Sequence, residues 1–227
     1  MALSTTDLGK EGGSGLPKTI APGNLTLKIN SVALEEFKFI PNAYHLILNV
    51  ETEPIDGFEG FLIDKDNESL GRYTGQIGRV KASQYAFADG KTKTGIEVQR
   101  DRSILIFLQK LCKTLGLNDW FVSQDDAHDT IEDFVEAFNR DKPFKDKYFD
   151  ACIAGKEYEG KSGYTNYDMW FPRDGKGVYA IASKGGAVLP YNETEHLKKM
   201  ETKTVTSFGD DDDLDIPKRA ATDFSLD

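Results

Sequence analysis

Apolar and polar residues first alternate near the start of the chain. Leu25, Leu27 and Ile29 interleave with Thr26, Lys28 and Asn30, a period of two that predicts a half-buried strand. Pro41-Asn42 turns the chain into a second strand over 44–50 (YHLILNV), which Pro54 and Gly57 end. A third short strand is predicted over 58–64 (FEGFLID), followed by an extended stretch over 72–88. Gly75 and Gly78 interrupt that stretch and mark a bulge or a close backbone approach. The period then changes. Ile104, Leu105, Leu108, Leu111, Cys112 and Leu115 recur at helical spacing, with Asp101 as the expected N-cap and Gly116 as the stop. A second helix over 130–139 puts Ile131, Phe134, Val135 and Phe138 on one face, with Asp129 as its cap. Strand character returns over 147–158 and 164–171, around a glycine-rich turn, and a last short helix is predicted over 193–200.

Strands, then one or two helices, then a hairpin is the order of the OB-fold, whose helix lies between the third and fourth strands of a five-stranded barrel. Other α+β layouts share this order. The expectation is a β-rich α+β fold: an OB-fold-like five-stranded barrel with one or two inserted helices and disordered termini. Residues 1–17, small, polar and glycine-rich, read as a flexible lead. Residues 18–200 form the domain, and 201–227 form a disordered acidic tail. At 227 residues and 39% hydrophobic content, the chain suffices for one sizeable domain with tails.

Charge divides the chain further. The net charge of −10 argues against an undirected nucleic-acid binder. Locally, however, residues 65–113 carry ten Lys or Arg against five acids, and residues 119–141 carry eight acids against Arg140. A basic segment with acidic neighbours still allows a shielded groove. The acidic block is open to two readings, a partner surface or an intramolecular shield. The tail from Ser207 carries seven Asp against Lys218 and Arg219. It is either a solubiliser or a detachable ligand. In the second reading, Asp210, Asp211, Asp212, Asp213 and Asp215 meet a basic groove, and Ile216, Phe224 and Leu226 fill an apolar pocket. Two unpatterned cysteines and no apolar run of membrane-spanning length suggest a protein of the reducing cytoplasm.

Formal motifs lead away from chemistry. Gly155 to Ser162 satisfies the phosphate-loop pattern GxxxxGK[ST], but the residues after it are aromatic and strand-like, with Pro172 soon after, so no helix opens there. A hairpin turn is the better reading. Asp64 to Glu68 begins like a calcium loop, but Ser69 stands where glycine is needed. His45, His128 and His196 are scattered away from both cysteines, so no metal, cofactor or catalytic group is called for.

What remains is interleaving of rings and cations. Arg72, Tyr73, Arg79, Lys81 and Tyr85 occupy one extended stretch, with Lys91 and Lys93 in the turn after it. Lys156, Tyr158, Lys161, Tyr164, Tyr167 and Trp170 occupy the later hairpin. Cations track phosphates and flat rings stack on unpaired bases, so this pattern predicts a single-strand interface, with some of the rings serving the core instead. Residues 75–81 (GQIGRVK) and 154–168, together with the acidic tip, resemble single-stranded-DNA-binding proteins of tailed phages, the crAss-like group especially. The resemblance implies a non-enzymatic protein that binds single-stranded DNA without sequence preference in phage replication or recombination. It implies recruitment of replication or recombination proteins through the tail, the cytoplasm of an infected bacterial host, no membrane, and room for a homo-oligomer. The competing expectation is a phage adaptor or virion component whose strands pack on protein.

Overall fold

The computed structural model describes residues 18–56, 73–91, 94–160 and 164–200. In chain order these form β1 (Gly23–Glu36), β2 (Tyr44–Thr52), β3 (Ile77–Lys81), and a small hairpin of β4 (Gly90–Lys91) and β5 (Glu97–Val98). Next come α1 (Arg100–Thr114), α2 (Asn118–Ser123), α3 (Ile131–Asp141), β6 (Tyr148–Glu159), β7 (Thr165–Trp170), β8 (Ile181–Ser183), the single turn α4 (Glu193–His196), and β9 (Leu197–Lys198). The fold is a β-rich α+β arrangement with four helices. Its main sheet runs β1-β2-β3-β7-β6 and closes on itself through a β1–β6 pairing. Every pairing in this ring is antiparallel except β3 with β7.

A single extra residue lets β1 serve two partners. Leu27 and Ile29 are buried before it and Val32 after it, so the inward parity changes at Asn30, where the pairing with β2 shifts register. A bulge of this kind bends a strand and raises its twist. Residues 23–28 pair with β6 and residues 27–36 with β2, so the two partners overlap only at Leu27 and Lys28. Asn139 of α3 grips β1 just past the bulge: the Val32 N–H donates to its Oδ1 at 2.8 Å, and its Nδ2 donates to the Val32 carbonyl at 2.6 Å.

The core joins the inside of the ring to α1 and α3. Leu46, Leu48, Val50 and Val80 meet Ile104, Leu108, Leu111, Phe134 and Phe138, with Phe144 against Phe138 at 4.8 Å between ring centroids. Burying side chains of this size is worth about 1.5–3 kcal/mol each, which is why the amphipathic stretches were readable in the sequence. Details differ. Gln99, not Asp101, precedes α1, and Asp101 lies in the first turn paired with Arg100. Gly116 follows the helix with φ +67°, a conformation glycine adopts without strain. Thr130, not Asp129, caps α3, its hydroxyl accepting from the Asp133 N–H.

The predicted helix over 193–200 makes one turn only. Leu197 and Lys198 then pair with Gly155 and Lys156, taking up the edge of β6 beyond the point where β1 ends. A free strand edge outweighs the weak propensity of so short a helix. Of the stretch predicted over 72–88, the described residues 73–88 hold strand only at 77–81, and Phe87 bridges back to Tyr44. The strand predicted over 58–64 and the calcium-like stretch lie outside the described residues. The phosphate-loop match spans an antiparallel hairpin, with Glu159 opposite Thr165, so no helix N-terminus stands ready for a phosphate.

Between β3 and β7 the ring is hydrogen-bonded only at Val80↔Met169 and Lys81↔Trp170. Residues 18–20 fill the remaining gap: Ile20 N–H donates to the Ile77 carbonyl at 2.9 Å, and Ile77 N–H to that of Lys18 at 3.0 Å. Two glycines make room for this seam. A Cβ on Gly78 would lie 2.3 Å from Ile20 Cγ1, and one on Gly155 would lie 2.5 Å from Pro22 Cγ. At Gly78 the close approach is thus by the Ile20 side chain; the close backbone approach is at Gly75, where a Cβ would lie 2.4 Å from the Thr52 carbonyl oxygen. Among the described residues no helix is long and apolar enough to cross a membrane.

Candidate nucleic-acid interface

Alternation sets the outer surface of the ring. With Gly78 and Val80 directed inward, Ile77, Arg79 and Lys81 of β3 face outward. They align with Glu51, Asn49 and Ile47 of β2, and beyond those with Lys28, Ser31 and Ala33 of β1. The outer row ends at Glu35 opposite His45. Arg79 ion-pairs with Glu35, a contact that crosses β2 diagonally over Ile47 and helps to keep that outward isoleucine buried. Lys81 pairs with Asp168 of β7 at 2.7 Å. Both predicted cations of β3 are thus neutralised by the protein itself.

Glu51 is the buried charged member of this surface. It accepts from the N–H groups of Thr74 and Gly75 at 2.9 and 3.1 Å, and meets Lys28 Nζ at 3.1 Å and Asn30 Nδ2 at 3.3 Å. Four donors satisfy one carboxylate, and together they fix the approach of the chain to β3. His45, at the opposite end of β2, has its Nδ1 buried without a partner among the described residues. Burial first, and then the Lys81 ammonium, push its pKa below the usual histidine value, while Asp168 and Glu35 act in the opposite direction.

The predicted aromatics separate into two places. Tyr73, Tyr158 and Tyr167 converge where β3 and β7 part, lining a groove of ≈ 510 Å³ with Asn30, Ser31, Asn49, Arg79 and Asn166. Trp170 lies at the other end of β7, only 7% exposed, with the Lys198 ammonium 5.7 Å from its ring centroid. Its neighbours Met169 and Phe171 are buried too, so three successive apolar residues already signalled the core. Tyr85, 64% exposed, shares a smaller hollow of ≈ 340 Å³ with Trp170, Arg173, His196 and Lys198. Tyr164 is 76% exposed at the turn between β6 and β7. Lys91 is held by Glu97 at 3.7 Å in the separate β4–β5 hairpin. Arg72, Lys93, Lys161 and the tail residues Asp210 to Leu226 lie outside the described residues.

Three further groups escaped the reading of the sequence. Phe39, 87% exposed in the loop between β1 and β2, leads through Phe37 to His45, with ring centroids 5.4 and 5.2 Å apart. Lys198 and Arg173 join Lys156 as exposed cations without a carboxylate partner among the described residues, and Lys156 and Lys198 stand side by side in the β6–β9 pairing. The amides Asn30, Asn49 and Asn166 enter the groove; polar residues amid apolar strand positions were the available signal. Cys152 Sγ lies 3.8 Å from His196 Nδ1, but burial pushes its thiol up to about 11 and that of Cys112 to about 12. Both stay protonated and unreactive. No family model, characterised protein or solved structure matches the chain.

Proposed function

We propose that this chain is an OB-type protein that binds single-stranded DNA without sequence preference and performs no chemistry. The ring order β1-β2-β3-β7-β6, its single parallel closure and the position of α1–α3 between β3 and β6 support the OB reading. In that fold the surface around the second and third strands and the flanking loops carries oligonucleotides. The observation that carries the functional reading is the groove beside Arg79, where tyrosines and amides meet the core residues Ile20, Val50 and Met169. Rings of this kind stack on unpaired bases, and side-chain amides meet base edges. Lys156, Lys198 and Arg173, which have no carboxylate partner among the described residues, supply cations for the phosphates beyond it. The resemblance to phage proteins implies a role in replication or recombination inside a bacterial host, with the acidic tail recruiting other proteins.

One observation favours a second reading, a protein adaptor: Arg79 and Lys81 already have carboxylate partners. Fluorescence anisotropy with a labelled oligonucleotide, single-stranded or duplex, over a range of salt separates the two. Preference for the single strand, with affinity falling as salt rises, is expected. Equal affinity for duplex, or no binding at low salt, would sink the DNA reading and leave the adaptor.

A further inference from the structure

The helical insert carries a second opening that the ring does not use. A cleft of ≈ 440 Å³ lies between α1, α2 and the start of α3. Leu105, Phe121, Ile131 and Phe134 form its apolar part, beside Gln109, Gln124 and His128, with Val122 left 59% exposed at the edge. Its rim is acidic. Asp101, Asp125, Asp126 and Asp129 line it, and no Lys or Arg does. Asp101 is held by Arg100, but Asp125, Asp126 and Asp129 have no cationic partner among the described residues. Asp129 is also released from helix capping, since Thr130 does that work.

Neither half of this arrangement serves the fold. Three neighbouring carboxylates repel one another, and an exposed valine beside an open apolar cleft leaves burial incomplete. One kind of ligand relieves both: a segment bearing cations around an apolar side chain. Phosphates are repelled by the same rim, so the cleft is no extension of the DNA surface. We propose that this cleft docks a basic segment of a partner protein, with a leucine- or phenylalanine-sized side chain in the opening and Arg or Lys on the rim carboxylates. The acidic block at 119–141 is then a partner surface rather than a shield. The inference stands whether or not the ring binds DNA.

The test uses the full chain and a fluorescein-labelled synthetic peptide in which arginines surround a pair of leucines. Saturable binding is expected, and it should be lost when the leucines become serine or the arginines glutamate. Asp125→Asn, Asp126→Asn and Asp129→Asn together should weaken it by about tenfold. Asn tolerates the positive φ of 54° at Asp126, so the turn survives. Val122→Arg should abolish binding by supplying an internal cation at the opening, and a preserved circular dichroism spectrum shows that either variant is folded. Changing Asp211, Asp212 and Asp213 to Asn should have no effect. Unchanged binding by the rim variant, an equal loss in the tail variant, or no saturable binding at all would overturn the proposal. So would self-association of the protein that the rim variant abolishes, since a second copy would then be the occupant.

Discussion

The cations of β3 and those along the β6–β9 edge lie on the same outer surface under different conditions. Arg79 and Lys81 are tied to Glu35 and Asp168, each bond joining separate strands of the ring. Lys156 and Lys198 lie side by side with no carboxylate partner among the described residues, and Arg173 lines the hollow next to them. A paired cation must exchange one anion for another before it holds a phosphate, so its net gain is small. An unpaired one releases counterions in full. On the proposed DNA-binding function, the first region would supply shape and the second affinity.

Breaking the paired side should cost stability. Glu51→Ala leaves the N–H groups of Thr74 and Gly75 without an acceptor and should lower unfolding free energy by about 3 kcal/mol in urea titrations. Breaking the unpaired side should cost binding instead. Replacing Lys156, Lys198 and Arg173 with Ala should shift stability by no more than about 0.5 kcal/mol. The same triple change should weaken single-stranded DNA binding roughly a hundredfold at low salt and make the salt slope shallower by about 2 units. A stable triple variant with unchanged affinity would erase the contrast between the regions.

Truncating a ring tests where bases stack. Tyr158→Ala in the groove and Tyr85→Ala at the hollow should each cost about 1–3 kcal/mol of binding if both lie on the path of the strand. Loss at only one of them would confine the path to that end of β7. Freeing the paired cations should act in the opposite direction: Glu35→Gln with Asp168→Asn should tighten binding by about two- to fivefold at low salt. No gain would mean that β3 serves architecture alone. The smallest effect concerns His45. Its folded pKa lies below the unfolded value of about 6.5, so the unfolded chain takes up the proton first. Stability should therefore decline as pH falls through about 6.5 and level off below the folded value, and His45→Gln should flatten that slope. Asp168→Asn should move it to lower pH, because a carboxylate favouring the charged ring is lost.

Legibility followed the length and period of each element. The strands at β1, β2, β6 and β7 and the helices α1 and α3 each present several apolar residues at one spacing, so local pattern sufficed. Six-residue α2, three-residue β8 and two-residue β9 are too short to show a period. The bulge at Asn30 was hidden because a change of parity reads as an end of alternation. At the site, Tyr73, Arg79, Tyr158 and Tyr167 were singled out in the sequence, and the groove brings them together. Their electrostatics were not readable, since the pairs Arg79–Glu35 and Lys81–Asp168 join residues 44 and 87 positions apart. The β1-β2-β3 pairings make the first two neighbours, and the β3–β7 pairing the second two.

The closure of the ring sets an order of events during synthesis. The seam joins Gly23–Lys28 of β1 to residues 148–153 of β6, and Thr26 bonds Asp150 across 124 positions. The first strand must therefore wait, one edge unmatched, until the helical insert and β6 have left the ribosome. Contacts this distant in sequence slow folding, because the entropy of a long loop is lost before any pairing compensates for it. Meanwhile β1 and β2, joined by a short loop, form a hairpin early, and that hairpin is the template on which the rest of the ring assembles.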